Sequence, residues 1–288
     1  MRALEIVETG ALTLVQDLGR PGYAHLGVPP SGALDTAALR LANRLVGNAE
    51  DAAGIETVLG GLAVRATESC TAAVTGPPVP VTVDGRAVGS HAPVPVRAGQ
   101  RLAIGTPATG LRCYLAVSGG LAVEPVLGSR SRDVLSGLGP EPLEPGMSVP
   151  LGPPTGVPAG ADVLPPSPAP AELVVPVLLG PRDDWFTDAA AGLSVWWTIT
   201  AESNRVGLRL DGPPLRRART AELPSEAVLT GAIQVPPDGR PILFLADHPT
   251  TGGYPVAATV RRTSLSALAQ ARPGTSIRFR LSSRAGNG

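Results

Sequence analysis

The chain has 288 residues and sets 24 basic against 24 acidic side chains, a formal net charge of zero. That balance excludes the basic excess of a nucleic-acid binder or a membrane-surface protein, and the length predicts two domains, each able to bury its own core. With 35 glycines and 32 prolines beside 43% hydrophobic residues, the composition is that of a folded, turn-rich protein rather than a low-complexity chain.

In chain order, the opening residues Met1 to Glu8 lack the apolar core of a signal peptide. No apolar run approaches the ~20 residues of a membrane span, so a cytoplasmic protein is expected. From Gln16 to Tyr23, and on through His25 and Ser31 to Asp35, polar side chains alternate with glycines and show little hydrophobic periodicity. Such glycines let backbone amides face a ligand, and an arginine among them, Arg20, suits a carboxylate or phosphate. The plainer alternative is a solvated loop leading to a helix. That helix is expected over Asp35 to Val46, with Asp35 as N-cap, Ala38, Leu41, Ala42 and Leu45 on one face, and Gly47-Asn48 as its stop.

Short β-branched or alternating runs follow at 72–75, 79–83, 102–104 and 112–117, then at 173–179, 195–200 and 208–210. Turn dipeptides Asp84-Gly85, Asp211-Gly212 and Asp238-Gly239 fall between them, a pattern of barrels or sandwiches. Between the two groups, Gly152 to Pro170 is rich in Pro, Gly and Ala and carries a single charge, Asp162. It reads as an extended linker between domains at 1–151 and 171–288. A short helix at 264–270 and a closing strand at 276–281 complete the chain, giving two mostly-β barrels with a few short helices.

Two later stretches also carry polar content beyond what turns require. In Glu202 to Leu210, alternation puts Arg205, Gly207 and Arg209 opposite Val206, Leu208 and Leu210. A solvent-facing ladder accounts for Arg209, while Arg205, at the Ser-Asn turn, suits an anion contact. In Gly231 to Pro255, Gln234 precedes a Pro-Asp-Gly turn, Asp247 follows an apolar strand and so sits at a barrel rim, and Thr250-Thr251-Gly252-Gly253 could form a nest of amides before Tyr254.

Every basic residue is arginine, so a Walker-A loop, a pyridoxal Schiff base, a Ser-Ser-Lys amidase centre and a biotinylated lysine are each impossible within this chain. Cys70 and Cys113 show no metal spacing and read as buried free thiols. The three histidines lack HxH or HxE spacing, and no Gly-x-Ser-x-Gly elbow is present, which leaves the identity of any metal open and no nucleophile–base pair in view.

These stretches together resemble the allophanate hydrolase subunit 2 family, which includes the carboxyltransferase-domain C subunit of the prokaryotic 5-oxoprolinase. The resemblance runs almost end to end: QDLGRPGYAHLGVPPSGALD (16–35), LANRLVGN (41–48), YLAVSGG (114–120), LGSRSRD (127–133), GPRDDWF (180–186), SNRVGLRLDGP (203–213), GAIQVPPDGRPI (231–242) and TTGGYP (250–255). Similar proteins often have Met where Val206 stands, Gln at Pro249 and Lys at Val256. The last change removes a cation beside the glycine loop.

The resemblance implies two cyclophilin-like β-barrel domains and a hetero-oligomer with a B subunit. With a third, lactam-opening A subunit, similar proteins convert 5-oxo-L-proline, ATP and water to L-glutamate, ADP and phosphate. Two alternatives come with the same family: a biotin-dependent carboxyltransferase component acting on urea or a similar amide, and a non-catalytic antagonist of a kinase inhibitor. ATP, with or without magnesium, is the expected cofactor; biotin could be carried only by another chain. For the lactam reaction Arg20 and Arg205 are expected as anion clamps and Asp17 or Asp247 as general base or metal-orienting carboxylate. Gln16, His25, Ser31, Gln234 and Tyr254 are expected around the substrate, and Thr250, Thr251, Gly252 and Gly253 around phosphate.

Overall fold

In a computed structural model describing residues 2–158 and 168–282, the chain divides into two compact units. One holds Met1–Arg20 and Ser31–Ala169, the other Pro21–Pro30 and Pro170–Gly288. The short segment Pro21–Pro30, which the sequence places in the first domain, thus groups with the second unit. Most of the proposed linker, residues 159–167, lies outside the described residues.

The first unit is built on two antiparallel sheets. One has six strands in the spatial order Ser148–Pro150, Ala3–Glu8, Ala63–Ala66, Arg101–Ile104, Val81–Val83 and Arg86–Val88. The other has five: Thr13–Gln16, Gly54–Val58, Arg112–Val117, Cys70–Thr75 and Val94–Val96. Leu4, Ile6, Val64 and Leu102 from the first sheet share one core with Val15, Ile55, Val74 and Leu115 from the second. Each such side chain, fully buried, contributes about 1.5–3 kcal/mol. The expected helix forms at Thr36–Leu45. The Asp35 carboxylate accepts from the Ala38 amide at 3.1 Å, and the face with Ala38, Leu39, Ala42 and Leu45 is buried.

The second unit closes into a seven-stranded barrel. The order is Glu172–Leu179, Val256–Val260, Ala232–Gln234, Ile242–Phe244, Gly207–Asp211, Trp196–Ile199 and Ser276–Leu281, and the last strand returns parallel to the first. Closure leaves no free edge in this ring. Alternation along Glu172–Leu179 turns Leu173, Val175 and Val177 inward. Gly212 has a second reason to be glycine besides its turn: a Cβ there would sit 2.7 Å from the Trp197 ring, which is buried in the barrel. The mainly-β architecture with few short helices is as the sequence implied. Among the described residues no helix is long and apolar enough to cross a membrane.

Candidate functional site

Four of the expected site residues gather in the first unit around one segment, Val126 to Asp133. Gln16 ends the strand Thr13–Gln16, is fully buried, and its Nε2 donates to the Arg132 carbonyl at 2.8 Å. Ser31 Oγ donates to that same carbonyl at 3.2 Å. Arg20, 2% exposed, donates to the carbonyls of Val126 and Ser131. The Asp17 carboxylate accepts from four donors: the Gly19 amide at 2.7 Å, Ser129 Oγ at 2.6 Å, Ser131 Oγ at 2.5 Å and the Arg130 amide at 2.6 Å.

Asp17 is therefore a knot that ties two distant parts of the chain, not an open base. Its oxygens already receive what a buried carboxylate needs. Arg20 likewise spends its guanidinium on main-chain carbonyls of the same segment. The structure thus places Arg20 and Asp17, expected as anion clamp and general base, on the loop itself rather than toward solvent. Beneath them lies a polar cluster that sequence reasoning missed. Tyr114 OH donates to Glu56 at 2.7 Å and accepts from the Asp35 amide at 2.8 Å, and Arg112 stands 3.6 Å from Glu56. Burial first, then the Glu56 and Asp35 charges, push the Tyr114 hydroxyl well above its usual range, so it stays protonated.

In the second unit Arg205 and Asp247 meet each other. Arg205 Nε donates to Oδ2 at 2.8 Å and Nη2 to Oδ1 at 3.1 Å, with both side chains essentially inaccessible. This fork-to-fork geometry is the strong form of an ion pair. The structure thus turns Arg205, expected as a substrate-anion clamp, and Asp247, expected as a base, toward each other and out of contact with solvent. Strand alternation failed for Arg205 because the strand begins only at Gly207; Arg209, within it, is exposed as expected.

The Thr-Thr-Gly-Gly segment is extended. Thr251–Gly252 pairs antiparallel with Glu226–Ala227, and neither Gly252 nor Gly253 adopts the positive φ that curls amides into a nest. Gly252 is needed instead for close approach, since a Cβ there would lie 2.6 Å from Gln234 Nε2. Gln234, also buried, donates that Nε2 to the Tyr254 carbonyl at 2.8 Å. The Thr250 carbonyl accepts from the Val228 amide at 2.9 Å. His25 is exposed in the short 3-10 turn Ala24–Leu26, its Nδ1 3.1 Å from the Gly22 carbonyl.

Two of these residues, Gly253 and Tyr254, do border an open space. A cleft of about 850 Å³ in the second unit is lined by them together with Trp185, Leu215, Arg217 and Asp238, among others. A smaller hollow of about 690 Å³, with Thr200, Glu202, Arg209 and Arg240 on its walls, also touches Tyr254. Beside the cleft, Arg182 and Glu226 form a bidentate pair that holds the Glu226 carboxyl below its usual range. Trp185 and Arg217 were missed as site residues. Trp185 lies within the stretch GPRDDWF (180–186) but nothing there singles it out, and the adjacent Arg216-Arg217 after Pro213-Pro214 looks like any solvated charge pair. Among the described residues no cluster of three or more His, Cys, Asp or Glu side chains is placed to hold a metal ion, so no step is assigned to one.

The carboxyltransferase domain, subdomain A and B, family model matches residues 26–281. The chain is 38% identical to the 5-oxoprolinase C subunit of Escherichia coli (strain K12), over 96% of this chain and 90% of that protein. It is 33% identical to the urea amidolyase of Lachancea kluyveri over 96% of this chain but only 17% of that enzyme. The crystal structure of TTHA0988 superimposes with a TM-score of 0.89 at 35% identity; the match covers 97% of this chain but 55% of that longer one. With both units matched in sequence and fold, the chain belongs to the family of carboxyltransferase domains, subdomains A and B.

Proposed function

We propose that this chain is the C subunit of an ATP-dependent 5-oxoprolinase, a hetero-oligomeric hydrolase that opens a cyclic amide. What supports the reading most is the reach of the match: it takes in 90% of the Escherichia coli 5-oxoprolinase C subunit, whereas the urea amidolyase similarity is confined to 17% of a far longer enzyme.

A five-membered lactam is resonance-stabilised and a poor electrophile. Transfer of the ATP γ-phosphoryl group to the lactam oxygen makes the ring carbon reactive and releases ADP. Water then adds at that carbon and the C–N bond breaks to the protonated amine, leaving an acyl phosphate that a second water hydrolyses to the carboxylate and inorganic phosphate. Such chemistry asks for positioning and charge neutralisation more than for a covalent group on the protein. In this reading Asp17 and Arg20 are positioning residues that fix the segment Val126 to Asp133 in the first unit, and Arg205 and Asp247 fix the barrel loops of the second. Gln234 sets the Tyr254 main chain, and Gly253 and Tyr254 wall the cleft that a ligand enters. The companion A and B chains of the complex supply the remaining groups.

The test is reconstitution. The chain mixed with its companion subunits should form glutamate and ADP from 5-oxo-L-proline and ATP, and omission of the chain should abolish turnover. Arg20→Ala should lower turnover at least ~100-fold, the scale of a misplaced site. A complete mixture with no turnover contradicts the reading.

A second reading, a biotin-dependent carboxyltransferase component acting on an amide such as urea, is favoured by the family description and the urea amidolyase similarity. With no lysine in this chain, it requires a separate biotinylated protein. Carboxyl transfer to urea in such a mixture, with no turnover of 5-oxoproline, would select it.

A further inference from the structure

Two arginines line the cleft of the second unit, the exposed Arg216 and the half-buried Arg217. Elsewhere in this unit arginines face carboxylates: Arg182 faces Glu226, Arg219 faces Asp184 and Arg240 faces Asp211. Arg217 does not. Its Nη2 donates to the Val235 carbonyl at 3.0 Å, its Nε is buried with no hydrogen-bond partner, and no carboxylate among the described residues comes within ion-pair distance. Two carboxylates, Glu222 and Asp238, share the cleft wall. Neither reaches Arg217, and Asp238 Oδ1 accepts from the Arg240 amide at 3.1 Å.

The backbone beneath this arginine is held in place. Arg217 bridges antiparallel to Phe186, the Thr187 amide donates to the Arg216 carbonyl at 3.0 Å, and the Ala218 amide donates to the Trp185 carbonyl at 2.8 Å. Trp185 and Tyr254 line the same space, the latter 44% exposed. A half-buried guanidinium that no carboxylate meets, with its Nε shielded from water and from any acceptor, is open to a counter-charge supplied by a ligand. Its planar fork matches a carboxylate or a phosphate.

We propose that this cleft binds a small molecule bearing an oxyanion, with Arg217 as its receptor and Trp185 and Tyr254 as aromatic walls. A volume of about 850 Å³ falls within the usual range of small-molecule sites and is roomy for a five-membered lactam alone. The oxyanion is therefore either the phosphate of a nucleotide or the carboxylate of a smaller acid.

Titration calorimetry on the full chain with ATP, 5-oxo-L-proline and inorganic phosphate decides between these sources. At least one probe should bind with Kd below ~1 mM. Arg217→Gln should weaken it at least ~10-fold, as loss of a charge-assisted contact does. Arg209→Gln, on the neighbouring hollow, should leave it unchanged. Binding of ATP or phosphate identifies a phosphate site; binding of 5-oxo-L-proline alone identifies a carboxylate site. No binding by any probe, or equal affinity in Arg217→Gln, overturns the proposal. If Arg217→Gln fails to fold, Tyr254→Ala at an exposed position takes its place: a several-fold weaker affinity is expected, and an unchanged one is contradictory. The inference rests on the 5-oxoprolinase reading in its choice of cleft and probes, but the two fail separately: that reading fails on absent turnover in the complete mixture even where Arg217-dependent binding is intact.

Discussion

The two units solve the same problem, a buried charged side chain next to a glycine-rich loop, in opposite ways. In the first, Asp17 is satisfied without any cation, by two hydroxyls and two amides drawn from both sides of a loop crossing. In the second, Asp247 is satisfied chiefly by charge, through the two-pronged bond from Arg205. The first arrangement fixes a loop at several points and depends on geometry. The second depends on both partners being present, because either alone would be a buried ion without a counter-charge.

That difference can be broken most sharply at Asp247. Asp247→Ala should cost about 3–5 kcal/mol in denaturant unfolding, since it strands the Arg205 guanidinium. Arg205→Met combined with Asp247→Leu should recover most of that loss. If the double variant is as unstable as the single, the pair is not the source of the effect. Asp17→Ala should cost about 2–4 kcal/mol by orphaning its buried donors, with little dependence on salt. No second substitution of one residue should rescue it, because its partners are four.

Tyr114→Phe comes next, at about 1–2 kcal/mol near neutral pH, from the lost contacts to Glu56 and the Asp35 amide. It carries a pH signature. The folded-state pKa of Tyr114 is raised, so its stabilisation is whole below the unfolded value near 10 and declines as pH climbs from there toward the folded value. The wild type should lose stability on that alkaline limb, and Tyr114→Phe should flatten it. The smallest effect belongs to Glu226→Gln. The Glu226 pKa is depressed by Arg182, so its contribution is present above the ordinary carboxylate range and fades as pH falls through the depressed value. High salt should erase it, as for exposed pairs generally.

Much of the architecture was legible because its cues are local. The strand Arg112–Val117 and the closing strand Ser276–Leu281 coincide with their apolar runs, and the helix after Asp35 follows its cap and its 3.6-residue stripe. The pairing of the strands was not legible, since register depends on partners far along the chain. The candidate site was legible as a set of places, not as roles. Residue type marked Asp17, Arg20, Arg205 and Asp247 as special, but whether a buried arginine faces a ligand, a carbonyl or a carboxylate is settled by long-range partners such as Ser131 and Asp247. Arg217 shows the converse. Nothing in Arg216-Arg217 distinguishes a solvated pair from a cleft wall until the segment from Trp185 to Thr187 is laid beside it.

The central claim is that the buried knots position while the open cleft binds. Steady-state kinetics of the reconstituted complex carrying Arg20→Lys or Tyr254→Ala test it most directly. Arg20→Lys keeps the charge but loses the fork, and should lower kcat with KM nearly unmoved. Tyr254→Ala should raise KM with kcat little changed. The reverse pattern, with KM rising for Arg20→Lys and kcat falling for Tyr254→Ala, would contradict the account.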